Sequence, residues 1–258
     1  MRHKKSLTVA RSCIPNESLT GAIFFLHNEA QLQPIPAEFL PSLEVNGKNT
    51  DICQFLHPYN AKIEKSADDP KYRLCKETNE TIDHILSCCK KITQTDYKQR
   101  HNHVAQMIHW NLCLKYHLPA VKNWWDHKPA KVLENEHTKI LWDFQIQTDK
   151  VLEHNTPDIT VVEKKKVWII DVAIPGVSCI DEKQEKLSRY QDLKIELQRL
   201  WQKPVQMVLV VMGTLGAVPK DLSQHLETID IDKITICQLQ KATLLGSARI
   251  MQKYITQS

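Results

Sequence analysis

Two β-rich runs with a short charged patch between them constrain the fold of this chain more than any other feature. Residues 159–162 and 167–174 are rich in valine and isoleucine, which favour strands, and the Glu-Lys-Lys-Lys of residues 163–166 suits an exposed turn. The sequence therefore predicts an antiparallel pair of strands. The position of the turn then sets the pairing register.

An aspartate accompanies each of these strands. If the turn centres on residues 164–165, Asp158 lies opposite Asp171, and directly opposed side chains share one face of a sheet with Cβ atoms about 5 Å apart. Two carboxylates held that close repel each other. A divalent cation would relieve the repulsion, and Mg²⁺ prefers one or two carboxylates together with water and phosphate oxygens. The alternative is that Asp158 caps a strand after Pro157 and that Asp171 is an ordinary strand-end charge.

A helix and a third strand are predicted to follow the pair. Residues 181–201 carry apolar side chains at steps of three and four, and residues 205–212 form an apolar run. Lys183 and Lys186 lie on the first turns of the helix. An ammonium group there could orient a water molecule and neutralise charge at a phosphate, although lysines on an amphipathic helix are usually just solvated.

Composition excludes a membrane span and a secreted disulfide scaffold. The 258 residues are 42% hydrophobic, which is enough to bury a core. They contain no apolar run of about 18 residues, so no membrane span is predicted. The 8 cysteines lack the regular spacing of a disulfide framework, which favours a reducing compartment.

The net charge of +4 is unevenly distributed. Residues 71–137 hold 11 Lys and Arg against 7 Asp and Glu, together with 7 of the 12 histidines. Residues 1–70 carry a net charge of −1 and residues 138–258 a net charge of +1. A basic, histidine-rich middle suits contact with a phosphate backbone, and is equally compatible with an ordinary soluble surface.

Three short motifs resemble one known endonuclease family: Pro-Asp at residues 157–158, Ile-Asp-Val-Ala-Ile-Pro at 170–175, and Glu-Lys-x-x-Arg-Tyr at 185–190. The family is the restriction-like endonuclease at the C-terminus of early-branching, site-specific non-LTR retrotransposon reverse transcriptase proteins. It is similar to the PD-(D/E)xK nucleases, with the lysine moved from the second strand onto the next helix. In this sequence Ala173 occupies the usual lysine position and Lys186 matches the relocated one.

The resemblance implies an α/β (α+β) fold of the restriction-endonuclease-like type, with a mixed sheet flanked by helices and preceded by a helical, zinc-knuckle-like segment. It implies a nuclear, metal-dependent enzyme that nicks DNA, with DNA and element RNA as partners and no membrane. Asp158 and Asp171 would hold Mg²⁺ or Mn²⁺. Lys186 would position the water or the phosphate, and Tyr190 would support the site.

The same family carries a zinc knuckle, Cys-x2-Cys-x8-His-x4-Cys, that ties a short loop to a helix. Three of its four ligands match at the right spacings: Cys75, His84 and Cys89. Tyr72 stands at the first ligand position, and the fourth ligand of a zinc ion would then be Cys88, Asp83 or water. The alternative is a metal-free helix over residues 80–89 that packs through its apolar side chains.

A helix is predicted over residues 96–117, and a short basic motif lies in its first half. Its Arg-His-Asn matches an element that the family is thought to use in binding nucleic acid. The candidate nucleic-acid-binding residues are Lys98, Arg100, His101, Asn102 and Lys183. By chemistry alone Lys98 and Arg100 could hold phosphates, while His101 could equally be a satisfied histidine of the core.

The remaining elements are predicted from periodicity. Residues 139–146 alternate apolar and polar side chains, which predicts a strand, the first of the endonuclease sheet, with Trp142 and Phe144 in the core. Residues 118–135 are expected to be a connector, and residues 236–254 a closing amphipathic helix whose role is packing.

These expectations divide the chain into three segments: a poorly defined residues 1–70, a zinc-knuckle-like and helical nucleic-acid-binding linker over 71–137, and a restriction-like endonuclease domain over 138–258. The Tyr-x-Asp-Asp turn of a reverse transcriptase is not found, so the chain would correspond at most to the tail of such a protein. Tyr72 and Thr156, where the family often carries Cys and a basic residue, favour an alternative. That alternative is a catalytically inactive remnant acting at most as a nucleic-acid-binding module.

Overall fold

A computed structural model describes residues 71–176, 189–231 and 234–255 of the chain, so the predicted segment 1–70 lies outside the described residues. The strands within these ranges are β1 (Val132–Glu134), β2 (Thr138–Trp142), β3 (Ile159–Glu163), β4 (Val167–Ala173) and β5 (Val205–Val211). The α-helices are α1 (Lys98–Lys115), α2 (Gln191–Trp201), α3 (Leu222–Thr228) and α4 (Ile234–Ile255).

The five strands form one mixed sheet in the order β1-β2-β3-β4-β5. Strands β1 to β4 are antiparallel to their neighbours, whereas β5 runs parallel to β4. A parallel pair needs a long crossover, and α2 lies in that connection. The structure therefore confirms a mixed α/β protein with a five-stranded sheet flanked by helices, and the predicted order of strand, strand, helix and strand is that of β3, β4, α2 and β5.

The β3–β4 hairpin has the predicted register. Ile159 lies opposite Ile170, and continuing the ladder by one residue places Asp158 opposite Asp171. At the turn, over residues 163–166, a backbone hydrogen bond of 2.9 Å closes the hairpin. The turn was enough to predict the register because a slip of one residue would move every apolar side chain of the hairpin to the other face.

Helices cover both faces of the sheet. From one face of β4, Trp168, Ile170 and Val172 pack into the main core with α1, α3 and α4. From the other face, Val167 and Ile169 pack against α2. All seven residues of β4 are buried, which explains why this central strand is a nearly continuous apolar run rather than an alternating one.

A smaller core packs the cysteine-rich segment against the end of α4. It contains Tyr72, Ile85 and Cys89 from this segment and Ile250 and Met251 from α4. Helix α1, which lies in the predicted middle segment, contributes side chains to the same main core as the sheet. The division of the chain into three segments stays a prediction.

The start of the sheet differs from the prediction. Strand β2 ends at Trp142 rather than at residue 146, because Asp143 adopts a left-handed backbone with a φ of 41°. Strand β1 precedes it inside the expected connector, so β2 is the second strand. Phe144 is 39% exposed and its assignment to the core is wrong, whereas Trp142 packs partly buried against the core.

The helices agree with the prediction more closely at the C-terminal end than near the cysteines. Over the predicted helix of residues 80–89, the structure has a π-helical turn at His84–Cys88. Residues 181–188 of the helix predicted over residues 181–201 lie outside the described residues, and α2 forms the remainder from Gln191 to Trp201. Helix α3 was not predicted. Helix α4 covers the predicted closing helix. None of the described helices combines the length and apolar character that crossing a membrane requires.

Candidate carboxylate site and cysteine–histidine clusters

Strand β4 places Asp171 in the interior. Its residue is only 7% exposed, in a strand whose other side chains are apolar. A buried carboxylate is unstable unless hydrogen bonds or a cation compensate for the lost hydration. The phenol of Tyr190 provides one such hydrogen bond.

Asp158 lies just before β3 and reaches the backbone of β4. Its Oδ2 accepts a hydrogen bond of 2.7 Å from the Val172 amide. Asp158 therefore makes a strand-capping contact with β4, which by itself does not decide between a structural cap and a metal ligand. Capping and metal binding are compatible, because a carboxylate has two oxygens and about four acceptor positions.

His101, on α1, meets the same carboxylate. Its Nε2 lies 3.1 Å from Asp158 Oδ2 and 3.1 Å from the Val172 carbonyl oxygen. Both of these oxygens accept hydrogen bonds, so Nε2 must carry the hydrogen. The ring is thereby held against the end of β4, and when it is protonated it forms an ion pair with Asp158. The sequence singled out both His101 and Asp158 but not the contact between them, since they lie 57 positions apart in the chain.

Tyr190 lies immediately before α2 and close to both aspartates. Its single hydroxyl hydrogen is shared between the Asp171 carboxylate and the Thr156 carbonyl oxygen, which lies 3.3 Å from the hydroxyl oxygen. Burial raises the pKa of its phenol well above the ordinary value, and the negative charges of Asp171 and Asp158 raise it further. The structure therefore brings the phenol and the two predicted metal ligands into one neighbourhood, and their roles there stay a prediction.

A cleft opens beside Tyr190, with a volume of about 270 Å³. It is lined by Leu152, Glu153, His154, Arg189 and Asp192. The His154 ring packs edge-on against Tyr190, with 6.4 Å between ring centroids. The cleft thus combines basic and acidic side chains beside Tyr190.

Arg100 is buried rather than presented to solvent. It is 2% exposed, and its guanidinium donates to the Leu86 carbonyl oxygen at 2.8 Å and to Ser247 Oγ at 2.9 Å. Burial lowers the pKa of Arg100 to about 10. In this conformation Arg100 ties α1 to the cysteine-rich segment and to α4, and contact with a phosphate would require it to leave these partners.

The other predicted nucleic-acid contacts are only partly placed. Lys98 is exposed on the first turn of α1, and Asn102 is half-buried beside His101 with its Oδ1 3.2 Å from His101 Nδ1. Lys183 and Lys186 lie in residues 177–188, outside the described residues. The predicted role of Lys186 as the relocated catalytic lysine stays a prediction.

The three cysteine and histidine residues that match the zinc knuckle come together. One donor atom from each of Cys75, His84 and Cys89 lies within 4.8 Å of the others, and Cys75 Sγ is 3.3 Å from His84 Nε2. Zinc–ligand bond lengths place a sulfur and a nitrogen about 3.6 Å apart on a tetrahedral ion. The second ring nitrogen of His84 lies 2.9 Å from Thr78 Oγ1, a partner of the kind that fixes a ligating imidazole.

Among the described residues, neither Cys88 nor Asp83 joins this group as the fourth ligand. Cys88 is exposed, with its Sγ 3.9 Å from Asp83 Oδ2. Tyr72 packs its ring edge-on against His84, at 5.4 Å between centroids. Its hydroxyl is buried and makes no hydrogen bond within the described part of the chain. Tyr72 therefore fills the volume at the first ligand position as a core residue.

A second cluster was not predicted from the sequence. His109, Cys113 and His127 are all buried, and one donor atom from each lies within 4.8 Å of the others. The spacing of four residues between His109 and Cys113 on a helix was the available clue, because side chains that far apart share a helix face. Among the described residues, two cysteine–histidine groups could therefore hold a metal ion.

Comparison with protein-family models found no match to the chain, and a search of curated protein sequences found no significant match.

Proposed function

We propose that this protein is a Mg²⁺-dependent endonuclease that nicks DNA, of the restriction-like kind to which its motifs are similar. One observation carries the proposal: Asp158 lies opposite Asp171 at the end of a central buried hairpin, with Tyr190 close to both. A pair of acids on neighbouring strands is the minimum that such an enzyme needs to hold a catalytic cation.

The donor set fits the ion. Mg²⁺ takes oxygen ligands and is usually bound through one or two carboxylates, with water and phosphate oxygens completing its shell. The protein interior screens the repulsion between two carboxylates less than water does. A cation therefore stabilises a pair with one buried carboxylate, such as Asp171, more than it stabilises a pair that is fully exposed. When bound, the ion would supply an activated water and stabilise charge on the scissile phosphate.

The residues of the chain have separate roles in this proposal. Asp158 and Asp171 hold the cation. His101 fixes the orientation of the Asp158 carboxylate through the hydrogen on Nε2, and Tyr190 does the same for Asp171. Lys186 would neutralise the phosphate or orient the water, as the resemblance implies.

The cysteine-rich segment supports a nucleic-acid-binding role. In the proposal Cys75, His84 and Cys89 hold a zinc ion that stiffens the segment, and Lys98 on the neighbouring helix contacts the phosphate backbone. DNA is the proposed substrate, element RNA a proposed further partner, and the nucleus the proposed compartment.

A plasmid assay tests the proposal. With Mg²⁺ or Mn²⁺ the purified protein should convert supercoiled DNA to the open circle, and Asp158→Asn or Asp171→Asn should reduce nicking to the level without metal. Asp230→Asn is the matched control, because Asp230 is exposed and its left-handed backbone, with a φ of 56°, accepts asparagine. Nicking that survives both site substitutions in folded protein would reject the assignment.

A second candidate function is a catalytically inactive, nucleic-acid-binding remnant. The packing of Tyr72 as a core residue at the first zinc-ligand position favours it. Tyr72 is a poor zinc ligand, yet its ring packs there within the fold. DNA binding that weakens with rising salt, without nicks at any metal concentration, would support the remnant over the enzyme.

A further inference from the structure

The unpredicted cluster joins helix α1 to the connector that precedes β1. His109 and Cys113 lie one turn apart on α1, and His127 directly follows a 3-10 turn at Trp124–Asp126. His109 Nδ1 is 2.8 Å from His127 Nε2, and Cys113 Sγ is 3.4 Å from His109 Nδ1. Three potential ligand atoms thus converge on one point in the interior.

These separations are close to those that a zinc ion imposes. Zinc–nitrogen and zinc–sulfur bond lengths predict about 3.3 Å between two nitrogens and about 3.6 Å between a nitrogen and a sulfur on a tetrahedral ion. The nitrogen–sulfur distance of 3.4 Å already agrees. The nitrogen–nitrogen distance of 2.8 Å is that of a hydrogen bond, and an outward shift of about half an ångström in one ring would admit the ion.

Hydrogen bonding alone does not satisfy the cluster. In the His109–His127 contact one ring must donate and the other accept. Whichever tautomer His109 adopts, its Nε2 is buried and has no hydrogen-bond partner within the described residues. The Trp142 ring packs perpendicular to His109 at 5.5 Å and screens the cluster from water. Metal–ligand bonds would offset the cost of burying His109 Nδ1, Cys113 Sγ and His127 Nε2, whereas His109 Nε2 would carry the hydrogen of its ring and stay without a partner among the described residues.

We propose that His109, Cys113 and His127 form a zinc site separate from the zinc-knuckle-like cluster. Borderline and soft ligands of this kind select zinc over Mg²⁺ or Ca²⁺. The described residues supply three donors, so a water molecule would take the fourth position. Because the three buried ligands come from α1 and from the connector, the ion would fasten the connector, and through it β1 and β2, to α1.

Metal analysis of purified protein tests this site independently of any nuclease activity. Protein from zinc-supplemented cells should lose one equivalent of zinc on Cys113→Ser, and should lose it equally when Cys89→Ala has removed a ligand of the other cluster. Cys237→Ser is the matched control, because Cys237 is a half-buried cysteine on α4 outside both clusters, and it should leave the zinc content unchanged.

Cobalt substitution and stability provide the second readout. In the Cys89→Ala background, Co²⁺ should give a thiolate-to-cobalt charge-transfer band, and zinc should raise the melting temperature; Cys113→Ser and His127→Gln should abolish both effects. Equal zinc content in the Cys113→Ser and parent proteins would overturn the site. So would a cluster that takes up copper but no zinc, or a melting temperature that zinc leaves unchanged.

Discussion

At the scale of single residues, the most informative contact is that between His101 and Asp158. The motif Arg-His-Asn singled out His101 for nucleic-acid binding, yet the structure has its Nε2 3.1 Å from the Asp158 carboxylate. Histidine–carboxylate contacts of this kind fix the orientation of a group that binds metal. His101 is therefore a positioning residue for Asp158 within the proposed site.

Replacing His101 should weaken metal use rather than abolish it. His101→Ala removes the hydrogen bond to Asp158 but leaves the one from the Val172 amide, so nicking should fall by about 10- to 100-fold. The Mg²⁺ concentration for half-maximal nicking should rise at the same time. His137→Ala, at an exposed histidine, is the control. An unchanged Mg²⁺ dependence in folded His101→Ala would remove His101 from the site.

Pairing within the hairpin could be predicted from the sequence much further than residue environments. The turn was enough to predict that Asp158 lies opposite Asp171, because pairing along a hairpin is local, and the roles of Asp158, Asp171 and Tyr190 stay a prediction. The burial of Arg100 could not be predicted, since its partners Leu86 and Ser247 come from elements that meet only in the folded chain. The same holds for His127, which lies beyond the end of the helix that carries the rest of its cluster.

At the scale of elements, the close approach of α1 and α4 depends on a glycine. A Cβ atom at Gly246 of α4 would lie 2.6 Å from Arg100 Cγ and 3.0 Å from Arg100 Cβ on α1. Atoms so near the α1 backbone cannot move aside as the end of a flexible side chain can. The absence of a side chain at Gly246 therefore leaves the space through which the Arg100 side chain passes between α1 and α4.

Gly246→Ala should destabilise the protein, against the usual trend. In an ordinary helix interior, alanine is about 1 kcal/mol better than glycine. Here the overlap with Arg100 should outweigh that gain and lower the free energy of unfolding by about 1–3 kcal/mol, measured by denaturant titration. The exposed Gln238→Ala on the same helix should change it by less than about 0.5 kcal/mol. A Gly246→Ala protein more stable than the parent would contradict this packing.

Elements with a strong apolar pattern could be predicted, and weakly patterned ones could not. Strands β3, β4 and β5 are valine- and isoleucine-rich runs, and a tight turn fixes the register of the first two. Strand β1 has only three residues and owes its place to pairing with β2. The end of β2 depends on the left-handed backbone of Asp143, which an alternating pattern does not reveal.

At the scale of the whole molecule, the sheet brings separate parts of the sequence to one end of its inner strands. The hairpin contributes Asp158 and Asp171, α1 approaches from one face with His101, and the segment entering α2 approaches from the other with Tyr190. Both faces must be covered for β4 to be buried along its length. The layered fold and the convergence of the site are thus two results of the same packing.

Binding of one divalent ion by the two carboxylates is the central claim, and Mn²⁺ titration followed by electron paramagnetic resonance measures it most directly. Mn²⁺ shares the oxygen preference of Mg²⁺, so the cysteine–histidine clusters should contribute little. With duplex DNA present, the parent and Asp230→Asn proteins should each bind one Mn²⁺ that Mg²⁺ displaces, and Asp158→Asn and Asp171→Asn should bind it at least about 10-fold more weakly. Parent protein that binds no Mn²⁺, or folded aspartate variants that bind it as tightly as the parent, would contradict the account.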